Sequence, residues 1–163
     1  MRSMYLSAVL CCVIAASCYA EDPVIGIFKL DAKRFSSTDP KVVYVAGTII
    51  ASQDGPDRIK MFYERVRPDG SKITLHYEYS PSCVDCPVSG GELGLTVSRR
   101  KLAERTFQTV WKLNGKIIAV SRNVYSRDLQ TLTNTAQNTA ANGAVYKTVT
   151  VWERQTEAPK NVH

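Results

Sequence analysis

Apolar and polar side chains alternate along most of this chain with a period of two. Residues 72–80 (KITLHYEYS) show it most cleanly: Ile73, Leu75, Tyr77 and Tyr79 point one way, and Thr74, His76 and Glu78 the other. A half-buried antiparallel strand does this because successive Cβ atoms leave opposite sides of the backbone, whereas a helix repeats every ~3.6 residues. In residues 58–66, Ile59, Met61 and Tyr63 share one face against Lys60 and Glu64. In residues 102–113, Phe107, Thr109, Trp111 and Leu113 share one against Gln108 and Lys112. Near the start, Ile25, Ile27 and Lys29 lie opposite Gly26, Phe28 and Leu30. Residues 41–52 (KVVYVAGTIIAS) are β-branched and apolar on both faces, as expected of a strand with an interior on one side and a covering segment on the other.

Turn signals punctuate these runs roughly every ten residues. Asn114-Gly115 suits a type I′ hairpin turn, in which both central residues take positive φ. Pro68-Asp69-Gly70-Ser71, Asp54-Gly55-Pro56-Asp57, Arg127-Asp128 and Asn142-Gly143 mark further reversals. Residues 81–91 (PSCVDCPVSGG) form the longest irregular stretch. The pattern predicts nine strands with short links and little or no helix. A meander of that kind avoids exposed edges best by closing on itself, so the expected architecture is an antiparallel up-and-down β-barrel of about eight to nine strands. It is expected to occupy residues 21–155 as one domain, with a frayed tail at 156–163.

The first twenty residues stand outside this pattern. Arg2 is followed by a largely apolar stretch from Met4 to Ser17, and Cys18-Tyr19-Ala20 places small residues at the two positions a signal peptidase reads. Residues 1–20 are therefore read as a signal peptide, and the mature protein as secreted or periplasmic. A second reading has a lipid carried on Cys18 after Ala15-Ala16-Ser17, although Ala at the first of those positions, where a larger aliphatic is usual, counts against it. The apolar stretch is short for a membrane span. Net charge is +6, or +5 once Arg2 is removed, and its densest cluster, Arg99-Arg100-Lys101, reads as a solvated turn between two strands. No basic stripe is interleaved with aromatics, so nucleic acid is not the expected partner.

Cleavage after Ala20 leaves two cysteines, Cys83 and Cys86. An even pair in an exported protein is read as a disulfide. Thiol exchange is the first alternative, but Pro87 and Gly90-Gly91 follow where a redox motif would begin a helix. Half of a metal site is the second; it lacks further ligands, with only His76 and His163 as imidazoles. His76 and Glu78 share a strand face, but the polar one. Nucleophile elbows, zinc-binding helices and phosphate loops are absent, so neither catalysis nor a cofactor is expected.

Taken together, GIFKLDAKRF near the start and LNGKIIAVSRNVYSRDLQTLTNTAQN…VYKTVTVWERQ at the end resemble an uncharacterised family of exported bacterial lipocalin-like β-barrels. The resemblance covers most of residues 26–155, with Phe28 where the family's opening motif has Trp. It implies that Arg154 stacks across the first-strand aromatic, giving a Phe28–Arg154 contact that closes the barrel. The helix that follows the barrel in true lipocalins has no counterpart in this sequence. The functional expectation is a non-catalytic barrel binding a small apolar or aromatic molecule. Tyr63, Tyr77, Tyr79, Phe107 and Trp111 are its wall, and Cys83–Cys86 staples a rim loop. The alternative is an envelope structural or protein-interaction barrel whose interior is filled by the same aromatics, together with Tyr146 and Trp152.

Overall fold

A computed structural model describes residues 23–80 and 82–156. The expected signal peptide at residues 1–20 with Cys18, and the tail beyond Thr156 with His163, lie outside the described residues. Eleven strands follow one another: β1 (Gly26–Leu30), β2 (Ser36–Ser37), β3 (Ala46–Gln53), β4 (Ile59–Val66), β5 (Lys72–Tyr79), β6 (Cys86–Ser89), β7 (Leu95–Ala103), β8 (Thr106–Leu113), β9 (Lys116–Tyr125), β10 (Thr131–Thr139) and β11 (Val145–Gln155). The helical content among the described residues is a 3-10 turn at Ala32–Arg34, whose N-cap Asp31 accepts from the Lys33 N–H.

All neighbouring strands are antiparallel, and β1 pairs with both β3 and β11, which closes the sheet into a barrel of ten strands. The closing register sets Phe28 opposite Arg154 and Leu30 opposite Trp152. The two-residue β2 continues along the same edge of β11, with Ser37 opposite Thr148. Closure removes the unpaired edges a sheet of this length would otherwise present. Between β8 and β9, Asn114 (φ 50) and Gly115 (φ 78) take the left-handed conformations that the dipeptide suggested.

The ring holds one strand more than the upper expectation of nine because the stretch at 81–91 contains β6. That strand is four residues long, carries Pro87, and forms two residue pairs with each neighbour, too short for alternation to reveal it. The long apolar run at 41–52 is also not one strand. Regular structure begins at Ala46, and residues 38–45 instead cross from β2 toward β3, where Tyr44 packs edge-on against Phe35 with ring centroids 5.4 Å apart.

The two ends of the barrel differ. At one end lie segment 23–25 and the β3–β4, β5–β6, β7–β8 and β9–β10 connections. Here Val24, Phe28, Phe107, Tyr125, Leu132 and Trp152 are all buried and form a floor. Phe28 meets Tyr125 edge to face at 6.1 Å between centroids, and Phe107 meets the same ring at 6.0 Å. Burying a ring such as Phe28 completely stabilises the fold by about 2–3 kcal/mol, so this floor anchors the barrel. At the other end lie the β4–β5, β6–β7, β8–β9 and β10–β11 turns and the crossing segment, and the inward residues there are only half-buried. Among the described residues, no helix is long and apolar enough to cross a membrane.

Candidate functional site

Above the floor the barrel encloses a cavity of about 270 Å³. Its lining has two unlike sides. From β3 to β5 come Ile49, Met61, Tyr63, Leu75, Tyr77 and Tyr79, an apolar and aromatic wall. From β8 to β10 come Thr109, Ser121, Asn123, Asn134 and Asn138, a polar wall. The polar side chains satisfy one another across strands: Asn134 donates to Asn123 Oδ1 at 2.7 Å, Asn123 to Thr109 Oγ1 at 3.0 Å, and Asn138 to Thr148 Oγ1 at 3.2 Å. Such pairing is what keeps buried amides tolerable. Where β8 meets β9 the register slips between Trp111 and Lys112, and consecutive residues Ile118 and Ala119 both face the cavity.

Of the five expected wall residues, Tyr63, Tyr77, Tyr79 and Trp111 line the cavity. Tyr77 and Trp111 meet edge to face at 5.4 Å, and Tyr63 rests on Trp152 at 5.6 Å. Phe107 is not part of the lining. It points inward as its alternation requires, but at floor level, where the Arg99 guanidinium covers it at 3.8 Å. Burial pushes the Tyr77 phenol far above its ordinary pKa and raises that of Tyr63 as well, so both stay neutral donors at physiological pH. Tyr146 also lines the cavity, and Trp152 bounds it beside the floor.

Two guanidinium groups, which the sequence reading left out, reach the interior. Arg65 follows Met61 and Tyr63 on the inward face of β4, with its guanidinium carbon 4.7 Å from the centroid of Tyr44 and 4.8 Å from that of Tyr63. Arg99 follows Leu95 and Val97 on β7; it hydrogen-bonds the Tyr79 hydroxyl and stands over both Tyr79 and Phe107. The expected solvated turn at Arg99-Arg100-Lys101 is therefore corrected. The triplet lies within β7, where alternation sends Arg99 inward and Arg100 outward to Gln108 Oε1 at 2.9 Å. Extending the period of two by one step in each strand would have found both arginines. Their charge had ended the hydrophobic run.

The remaining candidates lie outside the cavity. His76 is exposed and packs against Phe62 with centroids 5.1 Å apart, while Glu78 faces Lys60 at 3.8 Å. Cys83 and Cys86 are bonded, their sulfurs 2.08 Å apart, and the chain continues from them into a strand. The bridge ties the β5–β6 connection to the first residue of β6, at the floor end of the barrel. Among the described residues, no group of three or more His, Cys, Asp or Glu side chains could hold a metal ion.

Neither a family model nor a curated protein sequence matches this chain. Solved structures do. A single-site mutant of the fluorescent protein UnaG superposes with a TM-score of 0.51 at 16% identity, covering 83% of this chain and 98% of its own. The wild-type UnaG structure gives 0.50 at 16% identity, covering 80% and 96%. The fold is lipocalin-like. At this identity the likeness concerns architecture alone, a closed antiparallel β-barrel.

Proposed function

We propose that this protein binds a small apolar or aromatic molecule inside its barrel, without catalysing a reaction. The observation that carries the reading is the cavity itself. Its ~270 Å³ is roughly nine times the ~30 Å³ a water occupies in the liquid, far more than a packing defect, and just below the range of about 300–1,000 Å³ usual for ligand pockets. Core side chains otherwise pack close to crystal density, so a void of this size between an aromatic wall and a polar one favours a binding role over a filled structural barrel. Tyr63, Tyr77, Tyr79 and Trp111 supply the flat apolar contact. The asparagines opposite supply orienting hydrogen bonds.

Export is part of the proposal. The basic start at Arg2, the apolar run and the small residue at Ala20 support it, and so does a disulfide, which persists in an oxidising compartment. Mass spectrometry of the product released by the host should give a chain beginning at Glu21; a chain retaining Met1 would refute export.

For the binding role, the mature protein is titrated with N-phenylnaphthylamine, a neutral aromatic probe that fluoresces in apolar surroundings. Saturable binding of one probe per chain is expected, and so is loss of binding in Ala136→Phe, which adds a ring to the cavity lining. Absence of saturable binding by the wild type would sink the reading.

A further inference from the structure

The cavity carries cationic side chains and, among the described residues that line it, no carboxylate. A guanidinium taken out of water costs several kcal/mol unless an anion and hydrogen-bond acceptors replace the lost hydration. Arg99 is served by its bond to the Tyr79 hydroxyl and by two rings. Arg65 is placed differently. It sits at the open end of the cavity, in contact with the rings of Tyr44 and Tyr63, and its buried Nε has no hydrogen-bond acceptor. No ion pair to Arg65 occurs among the described residues, although the outward-facing Lys60, Lys72 and Lys112 each have one. The side chains of Tyr44 and Tyr63 interact with the cation and offset part of its desolvation, but neither is a carboxylate.

We propose that Arg65 is the seat of an anionic group on the ligand, so that the molecule bound is an amphiphilic acid: one carboxylate or sulfonate at the mouth, and an apolar, aromatic body running inward. The fork of N–H donors on a guanidinium matches a planar carboxylate, which can accept two of them at once. The body would then lie along the Tyr63, Tyr77 and Trp111 side and end above Val24, Tyr125 and Leu132. Tyr44 has a part in this as well. It belongs to the crossing segment rather than to a strand, and its ring lies against the Arg65 guanidinium. The crossing segment thereby helps to position the cation. The inference rests on the barrel interior being the binding site.

Two probes with the same aromatic body separate this inference from the one it rests on: anilinonaphthalene sulfonate, an anion, and N-phenylnaphthylamine, its neutral counterpart. The wild type should bind the anion tighter by about 10- to 100-fold, the range a charge-assisted hydrogen bond supplies. Arg65→Gln should erase that preference by weakening the anion alone, Arg65→Lys should keep part of it, and the exposed Arg122→Gln should leave it unchanged. Far-ultraviolet circular dichroism and neutral-probe binding establish that each variant is folded. Equal affinity of the two probes for the wild type, or equal weakening of both in Arg65→Gln, would overturn the anion seat while leaving interior binding in place. Failure of both probes to bind the wild type would overturn both.

Discussion

Arg154 stands over Phe28 with its guanidinium carbon 4.5 Å from the ring centroid, and the two residues are directly opposed where the last strand meets the first. The same side chain ties the floor together. Its Nε donates to the carbonyl of Leu129 at 2.9 Å and its Nη2 to that of Pro23 at 2.6 Å, while Nη1 donates to that of Ile25. Gly26 makes room for this: its φ is 128°, and a Cβ there would come within 2.5 Å of Nη1. One cation thus links both ends of the barrel sequence and the β9–β10 turn.

Replacing Arg154 by Leu keeps apolar contact with Phe28 and strands those carbonyls. Bonds to a charged donor are worth about 1.5–3 kcal/mol, so a loss of roughly 3 kcal/mol in urea unfolding is expected. Arg154→Lys, which keeps the charge but not the planar fork, should fall between. A loss below about 0.5 kcal/mol for Arg154→Leu, the size of an ordinary surface substitution, would show that closure does not depend on this residue.

Phe107 and Trp111 lie on one face of β8 with Thr109 between them, yet they should respond differently to truncation. Phe107→Ala empties a buried floor site and is expected to cost about 3–5 kcal/mol in stability. Trp111→Ala removes half-buried cavity lining, so it should weaken binding of the neutral probe at least tenfold, at a smaller cost in stability. The two variants are compared by urea unfolding and probe titration. A reversed order of effects would contradict the placement of floor and wall.

The bond between Cys83 and Cys86 closes a ring with a sequence separation of only 3. Loop entropy for so short a ring amounts to about 2 kcal/mol. Reduction should therefore lower stability by that amount or less and leave the affinity for the neutral probe unchanged, since the bridge lies at the floor end. Loss of probe binding on reduction would place the bridge in the function.

The buried phenols set a pH dependence. Burial raises the folded pKa of Tyr77 above the ordinary value of 10.0, and that of Tyr63 in the same direction. A group raised in this way contributes stability that is fully present below its unfolded pKa and is lost as pH climbs from there toward the folded value. Urea midpoints measured from about pH 8 to about pH 11 should stay level up to about pH 10 and then fall. Tyr77→Phe should make the fall shallower. An unchanged slope in that variant would mean the phenol is not held neutral by the fold.

Period-two alternation by itself determined which way most side chains face, because a strand offers only two sides and water accepts only one of them. Tyr63, Tyr77 and Trp111 follow from that rule, and so does the all-β class, since nothing in the chain repeats with a helical period. Alternation says nothing of height along the barrel axis. Only the ring, with the slip at Ile118, put Phe107 in the floor and Trp111 in the wall, because height depends on how each strand is staggered against its neighbours around the full circuit. Alternation also carries Arg65 and Arg99 inward, but the rings that receive their guanidinium groups were decided in three dimensions. A charged side chain reads as solvent-facing until tertiary packing surrounds it with aromatic rings, and the ring of Tyr44 reaches Arg65 only because its segment leaves the sheet to cross the open end.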